Sequence, residues 1–388
     1  MKTNLNKRIA YIGCLGVVGI ISTEFGIIGI LPQVAEYYNI NIGTAGYLLS
    51  AFALLIAITG PFTVLFASKF DKKTIMLYAM ILFFISNFFS IFSPPFWILM
   101  ILRILPTVLH PAFFSMAIAA AIKGTSQKEQ MKLTAIIIGG IALAQVTLIP
   151  LSTFVASIYS WQLTYAIQGF VILLTILIII RYLPSLPNEK PATFKNQISI
   201  LTQPRFISGT LLNLLLITAW FCSYSYFADY LSKEKLMNEK EISFLLLLFG
   251  AMGILSNYLA GNFLGRKMFW TTLFFVVGVF IVPVAFHYTD NSFLSVVIVT
   301  GIWGFMYGPC FLIGVGYMIS AAPNAKEFAN SLQTSFGNLG VSLGTTIGGL
   351  SISQFGISIT PWVGMIFGVL AIFIILWRAY LDRFIEKI

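Results

Sequence analysis

The stretch "ISTEFGIIGILP" runs from Ile21 to Pro32. It decides the fold, because it sets one carboxylate, Glu24, inside an apolar run long enough to cross a bilayer. An ionisable side chain at the centre of a membrane helix costs about 3 kcal/mol even on the mildest scale. It persists there only where a partner or a wet cavity offsets that cost. Working outward, the rest of the chain has the same character. Of its 388 residues 58% are hydrophobic and 9% charged, whereas a soluble domain carries about 25% charged residues. The bilayer is therefore the solvent. Long continuous apolar runs recur along the chain, which reads as transmembrane helices and excludes an outer-membrane barrel.

Lys2, Lys7 and Arg8 precede the first apolar run, as in a signal peptide. No small-x-small cleavage site follows and many further runs do, so the run reads as an uncleaved first helix. Cys14, Cys222 and Cys310 lie within apolar runs and form neither a C-x-x-C pair nor an even-numbered framework. Neither a metal site nor a disulfide framework is implied, and no cofactor is expected.

Apolar windows of about 20 residues predict twelve helices, near 9–31, 43–66, 75–93, 96–122, 132–156, 163–183, 206–230, 241–263, 268–288, 292–320, 328–355 and 359–381. Nineteen of the 23 Lys and Arg fall on one side of this arrangement: before the first helix, after the second, between the fourth and fifth, around the middle segment, and after the eighth, tenth and twelfth. The opposite side holds Lys233, Lys235 and Lys240, diluted by Glu234, Glu239 and Glu241. By the positive-inside rule both termini are expected in the cytoplasm. The net charge of +10 then faces anionic headgroups, and no nucleic-acid partner is needed.

The longest polar stretch on the basic side runs from Leu183 to Arg205 and divides the chain into two six-helix halves, residues 1–183 and 206–388, joined by a linker over 184–205. The halves echo each other. "RILPTVLHPAFF" from Arg103 and "GIWGFMYGPCFL" from Gly301 share Ile104/Ile302, Pro111/Pro309 and Phe113/Phe311. Two such repeats joined by a linker is the parallel-repeat layout of secondary transporters.

These motifs carry a resemblance. "TEFGIIGILPQVA" from Thr23, "LLSAFALLIAITGP" ending at Pro61, "LRILPTVLHPAFFS" from Leu102, "SWQLTYAIQG" from Ser160, "YLPSLP" ending at Pro187, "YSYFADYL" from Tyr224 and "SFGNLGVSLGTTIGGL" from Ser335 stand in order over nearly the whole chain. The chain resembles the major facilitator superfamily, in its drug/proton antiporter branch, near the sugar and arabinose efflux permeases. The resemblance implies the major facilitator fold, with the first, fourth, seventh and tenth helices lining a central cavity. The sequence departs from the family in the loop after the second helix, where the usual glycines are replaced and the window holds Val64, Ser68, Lys69, Asp71, Lys72 and Lys73. The matching loop after the eighth helix has Asn262, Gly265, Arg266 and Lys267. Lys69, Asp71, Lys72, Lys73, Arg266 and Lys267 are the expected cytoplasmic gating residues.

Few ionisable groups fall within the spans. Glu24 lies about seven residues from the outer end of the first helix and Arg103 about seven into the fourth from the same face, so each sits ~10 Å deep at 1.5 Å per residue. Equal depth on two cavity-lining helices predicts a Glu24–Arg103 pair for proton coupling, with a static salt bridge as the other reading. His110, two turns after Arg103, either titrates or donates to a substrate hydroxyl, or bonds a carbonyl freed by Pro106 or Pro111. Trp220, Tyr224 and Tyr226 offer ring faces with polar handles for a polar, ring-shaped substrate, and Asp229 is a candidate for coupling or for rim charge. Gln145 and Asn338 bond either substrate or a neighbouring helix. Gly340, Gly344 and Gly348 read as a close helix contact.

The expectation is a monomeric, multi-pass cell-membrane exporter of a small sugar-like polar solute, driven by proton entry, with a multidrug or nucleoside exporter as the alternative. An integral membrane enzyme is disfavoured because no H-E-x-x-H, G-x-S-x-G or Cys/His cluster occurs. A pore is disfavoured because neither a charge ring nor a filter loop is visible. No phosphate-binding P-loop occurs, so ATP is not expected to drive it.

Overall fold

The computed structural model describes residues 2–187, 195–322 and 326–383. Part of the linker, with Lys190, and Lys387 near the end lie outside the described residues. Everything described is helix or short connection, and eleven segments are long and apolar enough to cross a membrane. They are α1 (Leu5–Tyr37), α2 (Ile42–Ala67), α3 (Lys72–Ser90), α4 (Phe96–Ile122), α5 (Lys132–Ile158), α6 (Gln162–Tyr182), α7 (Pro204–Lys233), α8 (Glu239–Gly261), α9 (Met268–Tyr288), α10 (Phe293–Ala321) and α12 (Ile357–Arg383). The twelfth helix, α11 (Lys326–Phe355), is 30 residues long. It is longer than a bilayer needs but rich in Gly, Ser and Thr, which lowers its hydropathy. The chain is thus a twelve-helix, multi-pass membrane protein.

Helix starts follow local chemistry. Asn41 and Asp71 accept from the amides of Thr44 and Thr74, satisfying donors the first turn leaves open. Asn238 and Glu241 form a reciprocal capping box at the start of α8.

Five of the helices are interrupted within the membrane span. In α1 the α-helix ends at Phe25, a 3₁₀ stretch covers Gly26–Ile30, and α-helix resumes at Leu31. In α4 it ends at Ile104, passes through Leu105–Val108 and resumes at His110. α5 breaks at Thr147, α7 between Tyr224 and Phe227, and α10 between Tyr307 and Cys310. Pro106, Pro111 and Pro309 supply part of the cause, since proline lacks the N–H and crowds the carbonyl four residues back. The breaks in α1 and α4 recur at matching places in α7 and α10. Interrupted helices are where transporters of this kind expose backbone and polar groups at depth.

Contacts group the chain into two compact units, Met1–Ile30 with Ile58–Thr193 and Leu31–Ala57 with Phe194–Ile388. In the first unit α1 packs against α5, α6 and the second part of α4, and α3 packs against α6. In the second, α7 lies between α11 and α12, and α8 pairs with α10. The short turn of helix Ile42–Ala45 also packs on α11 in this unit. A Cβ on Gly43 would stand 2.5 Å from the Gly349 carbonyl oxygen, so the two backbones touch. Gly340, Gly344 and Gly348 press against α7 as expected: a Cβ at each would lie 2.9, 2.7 and 2.6 Å from the carbonyl oxygens of Leu214, Thr218 and Cys222.

Candidate functional site

In the first unit the break in α1 is the centre of a buried polar cluster. Glu24, Arg103 and His110 are 2%, 1% and 5% exposed. His110 Nε2 lies 3.1 Å from Glu24 Oε2. Arg103 approaches the same residue differently, donating from Nη2 to the Glu24 main-chain carbonyl at 3.2 Å. The sequence pointed to a Glu24–Arg103 side-chain pair. The structure brings these residues together, but it is His110 that meets the carboxylate while the Arg103 fork holds the backbone. The physical reason is the pair of breaks. The last carbonyls of an α-helix lack internal partners, and Glu24 is one residue from the end of the straight part of α1. The irregular turn Leu105–Val108 brings both Arg103 and His110 to it. Tyr165 of α6 lies beside the Arg103 guanidinium. Phe114 and Phe83 flank the His110 ring at 5.1 and 6.2 Å.

Two further residues complete this cluster, and sequence reasoning missed both. Gln168 Nε2 donates to the Ser22 carbonyl at 2.9 Å. Asn87 Nδ2 donates to Thr23 Oγ1 at 3.0 Å and to the Phe83 carbonyl at 2.8 Å. An amide in a membrane helix carries no charge to mark it; Gln168 lies in the stretch "SWQLTYAIQG", which carries the resemblance but assigns it no role, and Asn87 lies in none of the quoted stretches.

In the second unit, Trp220 and Tyr224 lie in an aromatic cluster with Phe249, Tyr307 and Trp303. Ring centroids are 4.4 Å apart for Trp220 and Tyr307, 4.3 Å for Phe249 and Tyr307, and 4.8 Å for Tyr224 and Phe249, all near parallel. Trp303 meets Phe249 edge-on at 5.0 Å. The indole N–H groups of Trp220 and Trp303 are buried and have no hydrogen-bond partner among the described residues. The aromatic cluster was half visible in "WFCSYSYFADY"; its α8 and α10 members were not, because their only signal is three-dimensional.

Tyr226 departs from this cluster. It was expected, with Trp220 and Tyr224, as a substrate contact, but it packs on α11 instead. Its hydroxyl donates to the Thr345 carbonyl at 2.8 Å, and a Cβ on Gly46 or Gly349 would collide with it. Asp229 is 2% exposed and paired with Lys233 at 3.0 Å. Asn338 donates back to Thr334 of its own helix, and Gln145 is half-buried in α5.

The expected gating loops differ from one another. Arg266, Lys267 and Lys69 are exposed. Asp71 is the centre of a clasp: besides capping α3 it accepts from Ser185 Oγ at 2.8 Å and from the Leu186 amide. The Lys72 amide donates to the Leu186 carbonyl at 3.1 Å and Lys73 Nζ to the Ile180 carbonyl at 3.2 Å. Partial burial pushes the Asp71 carboxyl up, but donation from Ser185, Thr74 and Leu186 outweighs it and holds the group below the usual carboxylate range.

Two cations counted with the solvated flanks are in fact buried. Lys235 donates to the Thr289 carbonyl at 2.7 Å, past the end of α9, and burial lowers its ammonium pKa. Arg378 donates to Asp382, Arg205 O and Ser320 Oγ, closing one end of the second unit.

Comparison with known proteins gives the family. The family model described as Major Facilitator Superfamily matches residues 13–326 and 209–386. A curated relative, "Probable sugar efflux transporter" of Helicobacter acinonychis (strain Sheeba), is 24% identical over 355 residues, covering 91% of this chain and 90% of its own. Among solved structures, the fold is similar to a bacterial homologue of the human lysosomal transporter Spinster in an inward-facing, occupied conformation (TM-score 0.75, 14% identity, 97% of this chain and 96% of that one). It is also similar to a D-xylose–proton symporter (TM-score 0.72, 16% identity, 95% and 96%). With twelve membrane helices, interrupted in pairs and matched over nearly its whole length, the chain belongs to the Major Facilitator Superfamily of membrane transporters.

Proposed function

We propose that the protein exports a small neutral polar solute of the sugar type across the cell membrane by proton-driven alternating access, working as a monomer with both termini in the cytoplasm. The observation that carries the reading is the Glu24–His110 contact, a buried carboxylate on an imidazole at a helix break. Such a contact tolerates both protonation states. The ionised carboxylate accepts from the imidazole N–H; the protonated acid donates to a ring nitrogen. A proton can therefore load and leave without stranding a polar group in the membrane, which an isolated glutamate would do.

The solute class follows from what the second unit offers. The rings now stack on one another and are buried; parted, they would give apolar faces for a flat or ring-shaped molecule, and the indole N–H groups of Trp220 and Trp303, without a partner among the described residues, would be donors for its oxygens. An organic phosphate would need several convergent cations. Instead, Arg103 is committed to Glu24 and Arg378 to Asp382. The sugar-efflux relative supports the same class. The aromatic stack also favours a second reading, efflux of a nucleoside or a neutral drug, whose heteroaromatic ring would stack there. Membership of a transporter family and the sugar-efflux relative support reading the protein as a transporter and not an enzyme.

Everted vesicles test it. An imposed proton gradient should drive uptake of neutral sugars or nucleosides, saturably. Gradient-driven accumulation of organic phosphates or dications alone would overturn the reading of the solute.

A further inference from the structure

Three consecutive residues of α1, Ser22, Thr23 and Glu24, are each held by a side chain from another helix. Gln168 of α6 takes the Ser22 carbonyl, Asn87 of α3 the Thr23 hydroxyl, and Arg103 of α4 the Glu24 carbonyl. Ser22 and Glu24 stand in the last turn of the straight part of α1, where the carbonyls run out of partners within the helix and can take partners from elsewhere. The two longest side chains of the cluster supply those partners. Gln168 is 1% exposed, and its orientation is fixed by chemistry: turned over, it would set its oxygen against the Ser22 oxygen. In the observed orientation its own Oε1 has no partner among the described residues. A Cβ on Gly26 would collide with Gln168 Nε2, so only glycine leaves room for this amide at the break.

We infer that Gln168 is a positioning residue for the proton site, acting through the backbone: by holding the Ser22 carbonyl it fixes the break in α1 that aims Glu24 at His110. This rests on the reading of Glu24 as the proton carrier. The charged or titratable groups near Glu24 are His110 and Arg103 from α4 and Tyr165 from α6. Those of the other helices packed on α1 stand whole turns away along their helices, Lys72, Lys73 and Tyr78 on α3 and Lys132 on α5, and so do Lys7, Arg8, Tyr11 and Cys14 on α1 itself. A residue that only packed would change how much protein folds. One that aims Glu24 changes the pH at which transport runs.

The test uses the full-length protein in vesicles, with Gln168→Met, Gly26→Ala, Glu24→Gln and the double variant Glu24→Gln/Gln168→Met. Met keeps the length and removes the donor; Gly26→Ala displaces the same amide from the other side. Two readouts are taken: the pH profile of gradient-driven export, and the pH titration of the infrared carboxylic band that Glu24→Gln abolishes. The expected result is an upward move of the export midpoint in Gln168→Met and in Gly26→Ala, matched by the infrared titration, with solute counterflow retained. In the Glu24→Gln background, Gln168→Met should have no further effect on counterflow. Unmoved midpoints in both Gln168→Met and Gly26→Ala, with only less folded protein, overturn the inference and leave the reading of Glu24 standing. Full gradient-driven export by Glu24→Gln overturns that reading itself.

Discussion

Glu24 and His110 come from different helices, and each stands beside an interruption of its own helix: Glu24 just before Gly26–Ile30, His110 just after Leu105–Val108. Their side chains meet at 3.1 Å out of contact with solvent. A movement that straightened either break would change that distance. Proton occupancy and helix geometry are thereby tied at one point.

Glu24→Gln should abolish gradient-driven export and spare solute exchange, because the amide keeps the size and hydrogen bonding of the acid but cannot cycle a proton. Comparing driven uptake with counterflow in the same vesicles checks this, and the idea is sunk if the variant still concentrates solute.

Arg103→Lys should impair transport although the charge is kept. The planar guanidinium donates to the Glu24 carbonyl and lies beside Tyr165, an arrangement that a single ammonium does not reproduce. Export rates at matched expression measure it; a wild-type rate would show that charge alone suffices.

Tyr226→Phe should lower stability by about 1 kcal/mol, the usual net value of one hydrogen bond, by removing the hydroxyl donor to the Thr345 carbonyl. It should not change solute affinity. Tyr224→Ala, in contrast, should weaken binding, by ~1–3 kcal/mol if an aromatic contact and its buried hydroxyl are lost. Thermal unfolding with and without solute separates the two effects, and equal affinity loss in both variants would restore Tyr226 as a solute contact.

Gly344→Ala should destabilise the second unit by about 1–3 kcal/mol, the range of an overpacked core. A methyl there would stand 2.7 Å from the Thr218 oxygen. Gly139, with open space around it, is the control. Melting temperatures in detergent should fall for the first substitution by clearly more than for Gly139→Ala.

Asp71→Asn should keep the cap on α3 and release the chain at Ser185–Leu186, because asparagine has one acceptor oxygen where the carboxylate uses two. The Asp71 carboxyl lies below its ordinary range, so its stabilising effect is complete above the unfolded value of about 3.9 and is lost only as pH falls through the folded value. The clasp is therefore closed at neutral pH. Amide hydrogen exchange at Leu186 should accelerate in Asp71→Asn at pH 7; an unchanged rate would remove Asp71 from the clasp.

The fold was legible because hydropathy counts directly in a bilayer: every polar backbone group must be paired within a helix, so apolar length alone marks the spans. α11 is less apolar than the others, yet its apolar window still marked it as a span. Glu24, Arg103 and His110 stood out as ionisable groups in apolar runs. What they touch did not, since a 3₁₀ turn shifts the phase of every side chain beyond it, and the spacing of Arg103 and His110 assumed an unbroken helix. Gln168 and Asn87 were hidden for another reason: what they hold is the Ser22 carbonyl and the Thr23 hydroxyl, beside the break in α1, and neither amide carries a charge that announces it.

The file of glycines along α11 has a mechanical consequence. With the backbone of α7 pressed against Gly340, Gly344 and Gly348 over eight residues, α11 puts no side chain of its own at these three points, and little is left there to yield. At this spacing Cα–H groups can also reach the facing carbonyls. The pair is a welded beam, not two sliding rods. Any force that turns α11 is delivered undamped to Trp220 and Tyr224 on α7, and a solute seated among those rings would push back along the same beam.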